Sequence, residues 1–357
     1  MTKLTIEGEK FLIDGKPIHQ GRIYNGAPIE GLLFNCRVVQ AMFDDENPDT
    51  VHQWVYPDTG SWDAERNVSE FIAHLPDYLA HGCTAITINL QGGMPITKTE
   101  EVQPWLNTAI DPRGELKPTY MDRLLRILKA ADDIGMVVIV GYYYFGQDKY
   151  MEDEEAIRRG TINASRWLLE TGLENILVEI NNETDIPHYA YDILLPHRIH
   201  ELIVLARDII HQGRRLLVST SFSGGAYHMR NQHRQLVRTD MAGLAKGIPT
   251  ERALAACDYA LVHTNEHDTA TTKEVVRQVR ELEAFKARPM PVVINEDSIA
   301  VDNLFAAAEV YAPWGYYDQG ENNYCDGYQS PPVNWGINTP EKKRFFDGVA
   351  KITGAKK

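Results

Sequence analysis

Short apolar runs alternate with amphipathic stretches along most of this chain. Eight of the runs are apolar or β-branched at nearly every position, and they lie at 31–36, 84–90, 136–144, 176–183, 215–221, 259–265, 291–297 and 313–318. Continuous runs of this length are typical of parallel strands that are buried on both faces. The pattern therefore predicts eight parallel strands.

The segments between these runs carry helical periodicity. The clearest is 120–133, where apolar side chains recur every three or four residues, and two more helices are predicted at 197–211 and 272–287. Gly135 and Gly213 follow two of these segments, where a left-handed residue often ends a helix. Strands that alternate with helices indicate an α/β fold with a parallel sheet.

Eight such units predict a (β/α)8 barrel over about residues 31–350. Residues 1–20 alternate apolar and polar positions around Asp14-Gly15, which predicts a short N-terminal β-hairpin. Neither a repeat of fixed period nor a low-complexity linker divides the chain. A single catalytic domain over residues 1–357 is therefore expected.

Composition and charge narrow the classes of partner. The chain has 357 residues, 43% hydrophobic and 24% charged, which suffices for a large core. A net charge of −14 disfavours nucleic acid and anionic membranes as partners. The four cysteines are scattered, so free thiols are expected rather than disulfides or a zinc site. Homo-oligomer formation stays open.

The amino terminus carries no apolar segment of the kind that a signal peptide needs, and no run reaches the length of a membrane span. A cytoplasmic location is the resulting expectation.

Chemistry in this fold lies at the carboxyl ends of the strands. Those ends are rich in amides, aromatic rings and carboxylates, the groups that bind sugars, and they hold no lysine that could form a Schiff base. The candidate site residues are Asn35, Arg37, Asn89, Gln91, Tyr144, Asn182, Glu183, His263, Glu296, Trp314 and Asp318.

Two of these strand ends resemble a known family. The segment from Val178 to Glu183, ending Asn-Asn-Glu, is similar to the fourth strand of the clan A glycoside hydrolases, especially the cellulase-like family 5. Pro289–Glu296 resembles the seventh strand of that clan. The resemblance implies a retaining, metal-independent hydrolase of β-type glycosidic bonds that needs no cofactor. Glu183 would then be its acid/base and Glu296 its nucleophile.

The resemblance also implies further roles in substrate binding. Asn182 would bond to a sugar 2-hydroxyl, and Trp314 stands where the clan places a tryptophan under the sugar. Separately from the resemblance, the expected intracellular location favours an oligosaccharide or a small glycoside over a polymer as the substrate. Long loops after the first and eighth strands could close one end of the cleft, which favours exo-action.

Spacing supports this interpretation separately. Glu183 and Glu296 are 296 − 183 = 113 residues apart, or about 38 for each of three βα units, which is normal for such a barrel. Retention needs two carboxyl groups about 5–5.5 Å apart. Arg37 is expected to keep Glu296 ionised, while burial keeps Glu183 protonated.

The sequence departs from family 5 in three places. His263-Thr264-Asn265 stands where the family has His-x-Tyr, Thr184 follows Glu183 instead of proline, and the second strand lacks an arginine near its end. Membership of the clan is therefore expected, but membership of family 5 is not. His263 or Tyr144 would replace the missing tyrosine in orienting the nucleophile.

Two other readings stay open. A metal-dependent sugar isomerase or hydrolase could use Glu179, Glu183, Asp185, His188, His263 or His267, although neither H-x-H nor H-E-x-x-H occurs. A non-catalytic carbohydrate-binding barrel would need the aromatic residues but not both acids. Glu179 is expected to pair with an arginine, and Asp297 is a rival of Glu296 for the role of nucleophile.

Overall fold

The computed structural model describes residues 1–95, 103–186, 188–225, 229–230, 236–237, 247–265, 267–320 and 324–356. The chain begins with β1 (Leu4–Glu7), β2 (Lys10–Ile13) and β3 (Lys16–Pro17), an antiparallel sheet, followed by the small hairpin of β4 (Ile23–Tyr24) and β5 (Ala27–Pro28). The predicted N-terminal hairpin is confirmed. Leu4, Phe11 and Ile18 on it pack against apolar residues at the amino ends of the barrel strands.

Eight parallel strand positions form the barrel, and each coincides with one predicted run. The strands are β6 (Asn35–Arg37), β7 (Ala85–Asn89), β8 (Val137–Tyr143), β9 (Ile176–Asn181), β10 (Leu217–Ser219) with β11 (Ser221–Phe222), β14 (Ala260–His263), β15 (Val292–Glu296) and β16 (Gly315–Tyr316). A further pair, β12 (Met229–Arg230) and β13 (Leu236–Val237), lies after β11.

The hydrogen bonds run around the ring. One ladder has the order β10-β9-β8-β7-β6-β16, and another has the order β11-β14-β15. Two backbone bonds join β15 to the segment of β16, from Ile294 N to Pro313 O (3.1 Å) and from Asp297 N to Gly315 O (3.0 Å). The predicted (β/α)8 architecture is confirmed.

Helices follow every strand position and form the outer layer. They are α1 (Ala64–Ala80), α2 (Pro118–Asp133), α3 (Glu154–Glu170), α4 (His200–Arg207), α5 (Glu251–Ala256), α6 (Thr269–Glu281), α7 (Glu283–Ala287), α8 (Asp302–Glu309) and α9 (Pro340–Thr353). No helix among the described residues is long and apolar enough to cross a membrane.

The predicted helices differ from the observed ones at their ends. Helix α2 ends as expected, with Gly135 at φ 79° just beyond it. Helix α4 is shorter than predicted, and Gly213 instead lies in a turn between His211 and Arg214. The segment 272–287 is two helices, because the backbone of Leu282 is extended.

Candidate active site

The two predicted catalytic acids meet at the carboxyl end of the barrel. One carboxylate oxygen of Glu183, one of Glu296 and a ring nitrogen of His263 all lie within 4.8 Å of one another. The three residues are buried, and Glu183 and Glu296 are 3% and 7% exposed. Among the separations known for glycosidases, this gap falls in the short class that leaves no room for a water between the acids.

A register shift in β15 brings Glu296 into this group. Val262 of β14 pairs with Ile294, but the next residue, His263, pairs with Glu296. Asn295 is therefore an extra residue, and its side chain already faces the barrel interior, where Nδ2 lies 3.5 Å from Glu179 Oε2. A bulge lets consecutive side chains face the same side of a sheet, so Glu296 also points inward.

A turn of the backbone just after β9 places Glu183. Its φ of 47° lies in the left-handed region, which is unusual for a residue with a side chain. Its N–H donates to Ser221 Oγ (2.8 Å), and the N–H of Thr184 donates to Ser221 O (3.0 Å). These bonds from the neighbouring strand hold the turn, so that Asn182 and Glu183 both face the site.

Glu296 accepts hydrogen bonds at both carboxylate oxygens. Arg37 Nε donates to Oε2, and Asn265 Nδ2 donates to Oε1 at 2.8 Å. The neighbouring Asp297, the rival nucleophile, accepts from Thr264, Trp314, Asn303 and Ser298 instead. Asp297 is therefore a structural carboxylate, while Glu296 faces Glu183.

Arg37 is the central cation of the site. Its Nη2 donates to Asn182 Oδ1 (2.5 Å), and its Nη1 lies 3.7 Å from Glu179 Oε2, as predicted for Glu179. Burial by itself would lower the pKa of Arg37, but Glu296 and Glu179 outweigh it and raise that pKa. The buried guanidinium therefore forms a charge-assisted hydrogen bond with Glu296.

His263 lies between the two acids. Its Nδ1 is 2.8 Å from Glu183 Oε1 and 3.7 Å from Glu296 Oε2. Complete burial lowers the pKa of His263 to about 4, although Glu296 opposes this shift. The imidazole is therefore neutral near pH 7, and it can either donate to a carboxylate or accept from a carboxylic acid.

Three other predicted residues lie near this group. Asn35 and Asn89 are buried in the barrel interior, where Asn35 Nδ2 lies 3.4 Å from Ile294 O. Neither amide atom of Asn89 has a hydrogen-bond partner within the described ranges. Tyr144 is 6% exposed, and its ring lies beside Gly93.

Three predicted residues do not join the acids. Gln91 supports a loop, with Oε1 accepting from the N–H of Tyr144 (3.2 Å). Trp314 is fully buried, faces α9 and donates to Asp297, so it offers no face to a sugar. Asp318 accepts from the Tyr316 hydroxyl (2.8 Å) on the same outer side. Residues 314 and 316 alternate with the inward-facing Gly315, which is why they point outward.

Asn265 and Ser221 lie at strand ends that the sequence indicates, but the sequence analysis assigned a role to neither residue. Asn265 occupies the position of the tyrosine in His-x-Tyr and could have been found from that alignment. Ser221 could not, because its role depends on the left-handed turn at Glu183. His263, one of the two residues proposed to replace the tyrosine, is nearer to Glu183 than to Glu296, whereas Asn265 donates directly to Glu296.

The group Glu183, His263 and Glu296 could also ligate a metal ion by its geometry. A cation there would lie next to the guanidinium of Arg37, which already contacts Glu296. Like charges at this distance in a buried site repel strongly. Two other residues of the metal hypothesis are engaged elsewhere, since Asp185 accepts from Ser223 and His267 Nε2 lies 2.9 Å from Gly224 O.

Comparison with known proteins finds similarity at the level of structure. No protein-family model and no curated protein matches the sequence. The endo-1,4-β-mannanase from Rhizomucor miehei matches with a TM-score of 0.60 at 12% identity, over 99% of this chain and 100% of that chain. The β-1,4-D-mannanase from Cryptopygus antarcticus matches with 0.54 at 12% identity, over 98% and 95%.

A third match is XEG5A, a GH5 xyloglucan-specific endo-β-1,4-glucanase from a metagenomic library, solved in complex with cellotriose. Its TM-score is 0.52 at 13% identity, over 89% of this chain and 96% of that chain. At these identities the likeness establishes the fold. The predicted resemblance to cellulase-like barrels is confirmed at that level.

Proposed function

We propose that this protein is a retaining glycoside hydrolase that cleaves a β-type glycosidic bond of an oligosaccharide or a small glycoside. The observation that carries the proposal is the buried pair of Glu183 and Glu296, whose nearest carboxylate oxygens lie within 4.8 Å. Inverting enzymes need a gap of about 6.5–9.5 Å, whereas retaining enzymes use about 5–5.5 Å.

The first step is attack by Glu296. Arg37 and Asn265 donate to its two oxygens, which fixes the plane of its carboxylate. Glu296 forms an ester bond to the anomeric carbon while the bond to the glycosidic oxygen breaks. Glu183 gives that oxygen its proton, so the leaving group departs as a neutral alcohol.

The second step returns the proton. Glu183, now ionised, takes a proton from a water molecule, and the resulting hydroxide equivalent displaces Glu296 from the anomeric carbon. A neutral His263 suits both states of Glu183, because its Nδ1 can accept from the acid in one tautomer and donate to the carboxylate in the other. Asn182, held by Arg37, is placed to bond the sugar 2-hydroxyl.

A panel of 4-nitrophenyl glycosides, with NMR of the first-formed anomer, tests activity, sugar and stereochemistry together. We expect a β-glycoside to be cleaved with retention. Glu296→Ala should abolish turnover, and azide should restore part of it with an α-glycosyl azide as product, because azide replaces the missing nucleophile on the face of the sugar opposite the leaving group. An inverted first product would contradict the proposal.

The same assays separate the two alternatives. A metal-dependent enzyme would lose turnover reversibly in EDTA, whereas the two-carboxylate mechanism should be unaffected. A non-catalytic carbohydrate-binding barrel would hydrolyse nothing in the panel, and Glu183→Gln and Glu296→Ala would leave sugar binding as it is.

A further inference from the structure

Loops from non-adjacent strands meet above the end of β6. In the barrel, β6 lies between β7 and β16. Yet the loop after β7 and the loop after β16 are joined directly, through the carbonyl groups of Met94 and Pro95. Such a contact has to pass over the carboxyl end of β6, the strand that supplies Arg37.

Side-chain bonds make this junction. Gln319 Nε2 donates to Pro95 O (3.2 Å), and Ser330 Oγ donates to the same carbonyl (2.7 Å). Gln329 Nε2 donates to Met94 O (3.2 Å). We call Met94, Pro95, Gln319, Gln329 and Ser330 the loop junction. Its five residues come from two loops that are more than 200 positions apart in sequence.

The junction is packed rather than open. Met94 is 6% exposed and Gln329 is 1% exposed. Gln40, in the segment after β6, bonds to the same region. Its Nε2 donates to Gly93 O (3.4 Å), and its Oε1 accepts from Asn107 Nδ2 (3.3 Å). A Cβ on Gly93 would come within 3.0 Å of the Tyr144 ring, so Gly93 packs directly against that ring.

The direction of the substrate follows from the role of Glu183. The acid has to lie on the side of the leaving group, because its proton goes to the glycosidic oxygen. Glu183 follows β9, and β16 is four strands away around the ring, on the opposite side. In an equatorially linked chain, the two glycosidic oxygens of a sugar lie at opposite ends of its ring. The sugars on the non-reducing side of the cleaved bond would therefore extend away from Glu183 and toward β16.

We infer that the loop junction closes the non-reducing end of the cleft, so that the protein removes one terminal sugar at a time. This inference rests on the proposed hydrolase function and adds the position of cleavage. Two of the solved structures described above, the Rhizomucor miehei mannanase and XEG5A, are endo-acting by name, so the inferred position of cleavage differs from theirs.

The test uses β-1,4-linked mannopentaose and cellopentaose labelled at the reducing end with 2-aminobenzamide. We expect the first labelled product to be the tetrasaccharide, together with unlabelled monosaccharide. Early labelled di- or trisaccharide would show internal cleavage and would overturn this inference alone. If neither a pentaose nor any aryl glycoside is cleaved, the proposed function fails, and the inference fails with it.

A variant assigns the effect to the junction. Gln319→Ala with Ser330→Ala removes both side-chain bonds to Pro95 O and should raise the share of internal cleavage at least tenfold. Gln329→Ala is a milder second variant, and Gln278→Ala on the outer helix α6 is the control, expected to cleave like the wild type. Folded variants that keep the wild-type product pattern would show that the junction does not set the position of cleavage.

Discussion

At the scale of single residues, the site shows how one function can move between side chains. The arginine expected near the second strand is absent, but Arg37 on β6 contacts Glu296 instead. The missing strand-six tyrosine is replaced by Asn265, which donates at 2.8 Å. In both cases each carboxylate oxygen of Glu296 still accepts a hydrogen bond. This arrangement depends on where the donor groups point and not on which strand carries them.

Asn265 is therefore expected to contribute to turnover. Asn265→Ala removes one hydrogen bond to an ionised carboxylate, which is worth about 1.5–3 kcal/mol, so kcat/KM should fall about 10- to 100-fold. Asn265→Asp should fall further, because a second negative charge would face Glu296. Steady-state kinetics on the best aryl glycoside measures both. Wild-type kcat/KM in a folded Asn265→Ala variant would contradict the role assigned here.

At the scale of elements, the ends of β9 and β15 are irregular where the acids lie. Glu183 has a left-handed backbone, and β15 carries a bulge at Asn295. Backbone irregularities of this kind cost free energy, and they persist where surrounding structure holds them. Here Ser221 accepts from the N–H of Glu183, and β14 pairs on both sides of the bulge.

The strain at Glu183 is measurable by comparing two inactive variants. Both Glu183→Ala and Glu183→Gly remove the buried carboxyl group, but glycine adopts φ 47° without a steric penalty. The left-handed region costs a side chain about 1–2 kcal/mol, and glycine loses part of that gain through its unfolded-state entropy. We expect the glycine variant to be more stable by about 1 kcal/mol in urea unfolding. Equal stability would mean that the turn is unstrained.

The same irregular elements explain what the sequence could and could not predict. Apolar runs located all eight barrel strands, and the Asn-Glu end of β9 indicated Glu183, since these depend on local pattern. Trp314 and Asp318 were misplaced because the direction of a side chain at a short strand depends on register, which a two-residue strand such as β16 does not reveal. Helix α4 ended earlier than predicted, and the chain instead forms a turn in which His211 and Arg214 bond to each other, a feature that helical periodicity does not reveal.

At the scale of the whole molecule, burial of ionisable groups couples folding to pH. Burial lowers the pKa of His19 to about 4, as it does for His263. In the unfolded chain each histidine gains its proton near pH 6.5. Burial acts in the opposite direction on Asp148, whose pKa is raised to about 6. Its carboxyl group takes up a proton earlier in the folded state, so it offsets part of the histidine effect.

Stability should therefore fall as the pH drops from about 6.5 toward 4. In this window the unfolded state binds protons at His19 and His263 that the folded state does not, so each histidine lowers the free energy of unfolding, by up to about 2 kcal/mol between pH 6.5 and 4.5. His19→Gln removes one of these two proton-binding side chains and leaves Glu183 and Glu296 unchanged. Its melting temperature should depend less steeply on pH than that of the wild type, while His52→Gln at an exposed position should not change the slope. Parallel curves of melting temperature against pH for wild type and His19→Gln would contradict this prediction. His19 would then bind its proton equally well in the folded and unfolded states, and the dependence of stability on pH would come from other groups.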